Sequence, residues 1–293
     1  MAAFIDSLRR TYRFGNAAMK LVLVNVGIFI LLRIAALILT LAGCDVQECV
    51  LQWIELPSSL QVLASRPWTL FTYMFSQYGI FHLLFNMLWL YWFGSLFLYC
   101  NTPRQLMALY VYGGIGGAVI YIGSFAGLPY FSGSFGWLIG SSASVLAIVV
   151  AAAWRMPDHK VGLLFVGEIS LKWIAAVTVL ISLLSIPGEN AGGNIAHIGG
   201  AVIGAIYGLA MSRGRDITVL FNLFCDKSVN LYRNLCVVFR RIPRRNASSA
   251  TERRHNTDEE TLDIILDKIK KSGYSALSAD ERKRLFDVSR RMK

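Results

Sequence analysis

Apolar residues run along this chain in six long stretches, each closed by charges, proline or clustered glycine: residues 18–42, 78–100, 105–127, 142–154, 171–186 and 194–212. A helix rises about 1.5 Å per residue and the hydrocarbon of a bilayer is about 30 Å thick, so about 20 apolar residues suffice to cross it. The first three stretches and the last meet that length, and the fourth and fifth are short. The pattern predicts an all-α polytopic membrane protein, a bundle of six transmembrane helices. Beyond residue 212 the apolar positions are interleaved with Asn222, Lys227, Asn230 and Arg233, which suits a helix lying on a membrane surface rather than a seventh span.

Composition agrees with this pattern. Of 293 residues 55% are hydrophobic and 16% charged, with mean hydropathy +0.50, more apolar surface than one soluble core hides. The formal charge of +11 suggests nucleic acid in a soluble protein. Here the basic residues flank the apolar stretches instead, so no nucleic-acid partner is expected. Arg9, Arg10, Arg13 and Lys20 mark the start of the first stretch, Arg104 follows the second, Arg155, Lys160 and Lys172 lie between the fourth and fifth, and Arg213 and Arg215 follow the sixth. The other three loops hold only Arg66. By the positive-inside rule both termini are cytoplasmic and loops 43–77, 128–140 and 187–193 face outward. The basic start lacks a small-residue cleavage site behind a short apolar core, so the first span stays. Short loops and the lack of a transit pattern point to a bacterial plasma membrane.

That topology gives the second, fourth and sixth spans a common direction, with their N-terminal ends in the outer half of the membrane. Those ends carry His82 and Asn86, Ser142, and His197. The chain has four histidines, and the other two, His159 and His255, fall outside the spans. Ser142 precedes Arg155 by thirteen positions, a rise of only about 20 Å, so it lies below the outer surface. His197, sixteen positions before Arg213, comes out about 24 Å above the same basic ring, a compatible depth. The approach to Ser142, broken by Pro129, Gly133 and Gly136, suits a loop that dips into the protein and admits water.

These residue types serve acyl transfer. A serine hydroxyl is a weak nucleophile until a base takes its proton, and histidine titrates in the right range to do so. The tetrahedral intermediate then needs donors for its oxyanion. The Ser142 backbone N–H, at a helix start, is one, and the side chains of His82 and Asn86, four apart on one helical face, are two more. Gly140 permits a tight turn before Ser142. Gly200, Gly204 and Gly208 recur every fourth residue and allow the sixth span to approach closely. Singly, a glycine–serine pair in a membrane helix is ordinarily packing material, Asn86 interhelical glue and His197 a relay group. Ser141 and Ser144 stand near enough to be taken for the nucleophile. Trp89, Trp92, Trp137 and Trp173 read as interface anchors rather than substrate readers.

The set His82-x-x-x-Asn86, Gly140-x-Ser142 and Ala196-His197-x-x-Gly200, in that order on alternating spans, resembles the rhomboid family of intramembrane serine proteases. Arg66-Pro67-Trp68-Thr69 and Gly113-Gly114-Ile115-Gly116-Gly117 look like the family too, and the likeness covers residues 15–212. The resemblance implies a Ser142–His197 dyad without a third acidic member and an oxyanion site from His82, Asn86 and the Ser142 amide. It implies cleavage of transmembrane segments of other membrane proteins, with no metal and no cofactor. Two positions depart from the family: Ala143 replaces a common glycine, and Leu146 stands where an aromatic ring often stacks on the histidine. A rhomboid-like protein that has lost catalysis and binds membrane helices is the alternative. A small transporter is a third class, disfavoured because inverted repeats and intramembrane carboxylates are lacking.

The expected organisation is an N-terminal segment 1–17, a membrane domain 18–212, an interfacial segment and basic linker 213–256, and a small helical hairpin 257–293 that meets an unknown cytoplasmic partner or the membrane face. Cys44 and Cys49 share one outer loop, and the sequence leaves their pairing open.

Overall fold

A computed structural model describes residues 15–163, 167–240, 265–270, 277–283 and 285. Nearly all of the N-terminal segment 1–17, the basic linker from 241 and much of the hairpin at 257–293 lie outside the described residues. The chain divides into two compact units, one through Asp226 and one from Lys227.

The first unit is helical. Its main helices are α1 (Ala17–Leu41), α2 (Ile80–Phe97), α3 (Pro103–Gly127), α4 (Ser142–Arg155), α5 (Leu171–Leu184) and α6 (Ala191–Ser212), and α7 (Val219–Arg240) runs out of it. Four of them, α1, α2, α3 and α6, are long and apolar enough to cross a membrane. At 14 residues each, α4 and α5 are shorter. The starts follow local chemistry. Asn16 caps α1 by accepting from the Met19 N–H at 2.9 Å. Thr102 and Gln105 form a reciprocal capping box at α3, with Pro103 at its first position.

The centre of the bundle is α4, in which every residue from Ala143 to Val149 is buried. It can be central because its neighbours are nearly bare on the faces they turn to it. A Cβ added at Gly200, Gly204 or Gly208 of α6 would run into the Ala143 carbonyl, the Ala147 carbonyl and the Trp154 side chain in turn. On α3, a Cβ at Gly113 or Gly117 would meet the Cβ of Ala147 or Ala143, at 2.5 and 2.7 Å. The fourfold glycine spacing on α6 therefore brings backbone onto backbone at Gly200 and Gly204 and lets the Trp154 side chain pack on Gly208.

Helix α1 is joined to this centre by a polar contact midway along two apolar helices. Asn25 is fully buried and its Nδ2 donates to the Tyr110 hydroxyl of α3 at 3.1 Å, while that hydroxyl donates to the Met74 carbonyl at 2.6 Å. Arg33, further along α1, lays its guanidinium over the ring of Tyr78, 4.9 Å from the centroid, in line with a side chain that snorkels outward.

The long loop before α2 is structured. The Arg66 guanidinium stacks on Trp53, 4.1 Å from its centroid, and donates to the Gln52 carbonyl at 2.8 Å; Trp53 in turn stacks on Trp68. Strand β1 (Leu56–Pro57) pairs antiparallel with β2 (Trp137–Leu138), which pins the segment preceding α4 to this loop. A second hairpin, β3 (Lys160–Leu163) with β4 (Gly167–Ser170), fills the connection from α4 to α5, where the sequence suggested only a charged loop. Cys44 and Cys49 are free, exposed thiols.

After α6, Asp216 accepts from the Thr218 N–H at 2.8 Å and from Gln105 Nε2 at 2.9 Å, so the start of α7 is tied to the start of α3. Val219, Leu220, Leu223 and Phe224 stand exposed along α7. In the second unit, Ser278 and Glu281 form a capping box, the Ser278 N–H donating to Glu281 at 2.8 Å, and Lys268 pairs with Glu281 at 2.7 Å.

Candidate active site

Gly140 sits at φ +135°, in the region that L side chains rarely adopt, and its N–H donates to the Tyr73 carbonyl at 3.0 Å. A Cβ there would also meet the His82 ring, 2.7 Å from Cε1. Glycine at this position thus serves two ends: it turns the chain into α4 and it leaves room for His82 beside that turn. Ser141 is the last residue before the helix and Ser142 the first within it. The Ser142 N–H therefore belongs to the first turn, whose amides have no partner within the helix.

Three serines cluster here, and their surroundings differ. Ser141 is fully buried, and its Oγ accepts from Gln77 Nε2 at 2.9 Å. Ser144 is also fully buried; its Oγ lies where a Cβ on Gly114 would come within 2.9 Å, and it has no hydrogen-bond partner among the described residues. Ser142 alone of the three opens into a cavity of about 160 Å³, lined also by Phe85, Asn86 and Trp89 of α2, Val145 and Leu146 of α4, Thr178 of α5 and His197 of α6. Ser142 and His197 thus face one space, although no hydrogen bond joins them among the described residues. Gly200, one turn after His197, rests on the backbone of Ala143, the residue after Ser142, so the closest approach of α6 to α4 falls at the site.

Asn86 is buried, and its Nδ2 donates to Gln77 Oε1 at 3.0 Å. Gln77, fully buried, thereby bridges Asn86 and Ser141. His82 lies one turn before Asn86 and against Gly140 rather than on the cavity wall. Leu146, 5% exposed, shares the wall with His197, as the sequence anticipated. Trp89 corrects the reading of the tryptophans as interface anchors: it lines the cavity and packs its ring on Phe93, 5.0 Å between centroids. Helical position decides this, since Trp89 follows Phe85 and Asn86 by about one turn and so shares their face.

Sequence reasoning missed two polar residues here. Gln77 closed an outer loop with nothing to mark it as buried. Ser182 read as one serine in an apolar stretch, yet its Oγ lies 3.1 Å from His197 Nδ1.

A helical membrane protein with a small, mostly apolar cavity walled by α2, α4, α5 and α6, into which Asn86, Ser142, Thr178 and His197 bring polar groups, is the class this fold defines. Comparison with known proteins then gives the family. The chain matches the Rhomboid domain over residues 64–214, just over half its length, and it belongs to the rhomboid family. Residues 250–291 match a second family, DUF6576, a family of unknown function. Among curated proteins it is 31% identical over 139 residues to Presenilin-associated rhomboid-like protein A, mitochondrial, of Danio rerio, covering 45% of this chain and 34% of the relative. It is 27% identical over 187 residues to Presenilin-associated rhomboid-like protein, mitochondrial, of Homo sapiens, covering 62% and 45%. With RHOMBOID-like protein 12, mitochondrial, of Arabidopsis thaliana it shares 29% over 165 residues, covering 52% and 48%. The chain spans less than half the length of these curated relatives.

The names of these relatives overturn the expected bacterial plasma membrane: each is named as a mitochondrial protein. The physical reason for the error is that loop length and flanking charge report how a chain sits in a bilayer, not which membrane it is.

Proposed function

We propose that this protein is an intramembrane serine endopeptidase that cuts transmembrane segments of other membrane proteins. The observation that carries the reading is the shared cavity: Ser142 and His197 line one space inside a bundle of membrane helices, with Asn86 on its wall. Ser142 Oγ attacks the carbonyl carbon of the scissile peptide as His197 takes its proton. In this reading the oxyanion is held by the Ser142 N–H and by the Asn86 side-chain amide, which Gln77 holds through one of its two N–H groups, with His82, against Gly140, as a further donor. Collapse of the tetrahedral intermediate breaks the C–N bond, and the proton on His197 passes to the leaving amine. Water, activated by the same histidine, then releases the acyl group from Ser142.

The architecture that goes with this reading has six spans, α1 to α6, with α4 and α5 crossing as short helices enclosed by the others. The membrane domain then covers residues 18–212, the interfacial segment and linker 213–256, and a helical hairpin 257–293 for a further partner. Support for the short crossing is the burial of α4, whose residues Ala143–Val149 and Ala151–Ala153 are enclosed by the other helices.

The test is cleavage of a transmembrane substrate in proteoliposomes together with fluorophosphonate labelling. Wild-type protein is expected to cleave and to be labelled; Ser142→Ala abolishes both, and His197→Ala abolishes labelling, with melting of the purified proteins unchanged. Cleavage that survives Ser142→Ala sinks the assignment.

A further inference from the structure

Ser182 lies in the last turn of α5, two residues before Leu184, and is 4% exposed. Its Oγ has two neighbours. One is the Thr178 carbonyl, one turn back on the same helix, at 3.0 Å; the other is Nδ1 of His197 on α6, at 3.1 Å. A hydroxyl has one proton to give and lone pairs to accept with, and a carbonyl oxygen can only accept. The arrangement that satisfies both contacts therefore sends the Ser182 proton to the Thr178 carbonyl and has Ser182 Oγ accept from His197 Nδ1–H. The opposite tautomer turns the Ser182 proton toward Nδ1 and leaves two oxygens 3.0 Å apart with no hydrogen between them, at a buried site where an unmade hydrogen bond is costly.

We infer that Ser182 is a positioning residue that holds His197 in the Nδ1–H tautomer, so that the free lone pair is on Nε2, the nitrogen left for Ser142. The inference rests on the dyad reading above and adds to it a third, neutral member supplied by α5. An imidazole hydrogen-bonded through one nitrogen has both its ring plane and its tautomer set, which is how a base is kept ready for a serine hydroxyl. The chemistry also explains how an aliphatic Leu146 can stand beside His197: orientation comes from the bond to Ser182, and Leu146 need only fill space. During acylation His197 becomes a cation, and Ser182 Oγ, an acceptor toward Nδ1–H in the neutral ring, keeps the same role toward the imidazolium. No atom of Ser182 has to move between the two states.

The experiment combines kinetics with a direct reading of the tautomer. Full-length protein with ¹⁵N-labelled histidine, in lipid nanodiscs at alkaline pH where imidazole is neutral, gives two-bond ¹H–¹⁵N correlations whose pattern differs between Nδ1–H and Nε2–H rings. His197 is assigned by the pattern lost in His197→Ala. Wild type is expected in the Nδ1–H form. Ser182→Ala shifts His197 to a mixture of tautomers and lowers kcat roughly tenfold with KM little changed, while Ser182→Thr, which keeps the hydroxyl, restores the pattern and most of kcat. A Ser182→Ala protein that retains the wild-type tautomer overturns the inference, even if it melts earlier, because a purely structural role lowers stability without moving the proton. If wild type proves not to be labelled at Ser142, the proposed protease function fails, and the tautomer measurement still decides for or against Ser182.

Discussion

Replacing Gly200 by alanine is the sharpest probe of how α6 delivers His197 to Ser142. The added methyl carbon would lie 3.0 Å from Ala143 Cα and 2.8 Å from its carbonyl carbon, and closer still to its oxygen, where ordinary contact begins at 3.4 Å. These neighbours are backbone of a buried helix and have no side-chain freedom with which to yield. The two helices must therefore part by about 1 Å, at a strain of about 1–3 kcal/mol for an overpacked interior. Ala143 adjoins Ser142 and Gly200 lies one turn from His197, so the separation opens between the proposed nucleophile and its proposed base. A misplacement of about 1 Å in a catalytic constellation costs on the order of a hundredfold in rate. Gly200→Ala is thus expected to lose about two orders of magnitude in kcat for a transmembrane substrate and to melt earlier. The control is Gly123→Ala on α3, where an added Cβ meets nothing within 4 Å. It should keep full activity and gain up to about 1 kcal/mol from helix propensity. Wild-type turnover in Gly200→Ala, or an equal loss in Gly123→Ala, refutes the close-approach argument.

Ser144→Ala removes a buried hydroxyl with no partner, so stability should hold or rise by about 1 kcal/mol, and fluorophosphonate labelling should persist; lost labelling in a folded protein would move the nucleophile to Ser144. Gln77→Ala strands both Asn86 Nδ2 and Ser141 Oγ in the interior, for a loss of about 1–3 kcal/mol and slower cleavage, and unchanged melting argues against the bridge. Glu55 lies in the loop before α2 with its carboxyl pKa raised by burial, a shift only partly opposed by a hydrogen bond from Gln47. A raised carboxyl favours folding at low pH and loses that contribution as pH climbs from the ordinary carboxylate range through the raised value. Denaturant melts should accordingly show wild type losing stability over that interval relative to Glu55→Gln, and parallel pH profiles for the two would contradict it.

Much of the bundle was legible because hydrocarbon leaves few options: an apolar stretch of sufficient length is a helix. The structure starts α1, α2 and α3 within two residues of the sequence reading and α6 three residues earlier. The glycines on α6 declared their role through spacing alone, since a bare stripe has one use. Pairing between distant segments was not legible. Nothing in Leu56-Pro57 names Trp137-Leu138 as its partner, and the β3–β4 hairpin hides in a segment too short and too charged to show alternation. The same limit explains the site. Ser142, His197 and Asn86 stood out because polar groups in apolar runs are conspicuous. Gln77 and Ser182 did not, because a residue at a loop end and a serine on a helix have ordinary explanations, and only their neighbours in space give them another.

The contact between Asn25 and Tyr110 bears on how the molecule is assembled. Helix α1 is apolar enough to enter a bilayer on its own, carrying one amide that finds there only its own Leu21 carbonyl. Its partner is synthesised 85 positions later, after α2 and the structured loop. In the interim that amide is an unfilled socket, one that lipid cannot occupy and that Tyr110, itself holding Met74, fills in the folded protein. Biogenesis thus acquires a docking order: α1 waits in the membrane, and its rotation about its own axis is fixed only when α3 arrives.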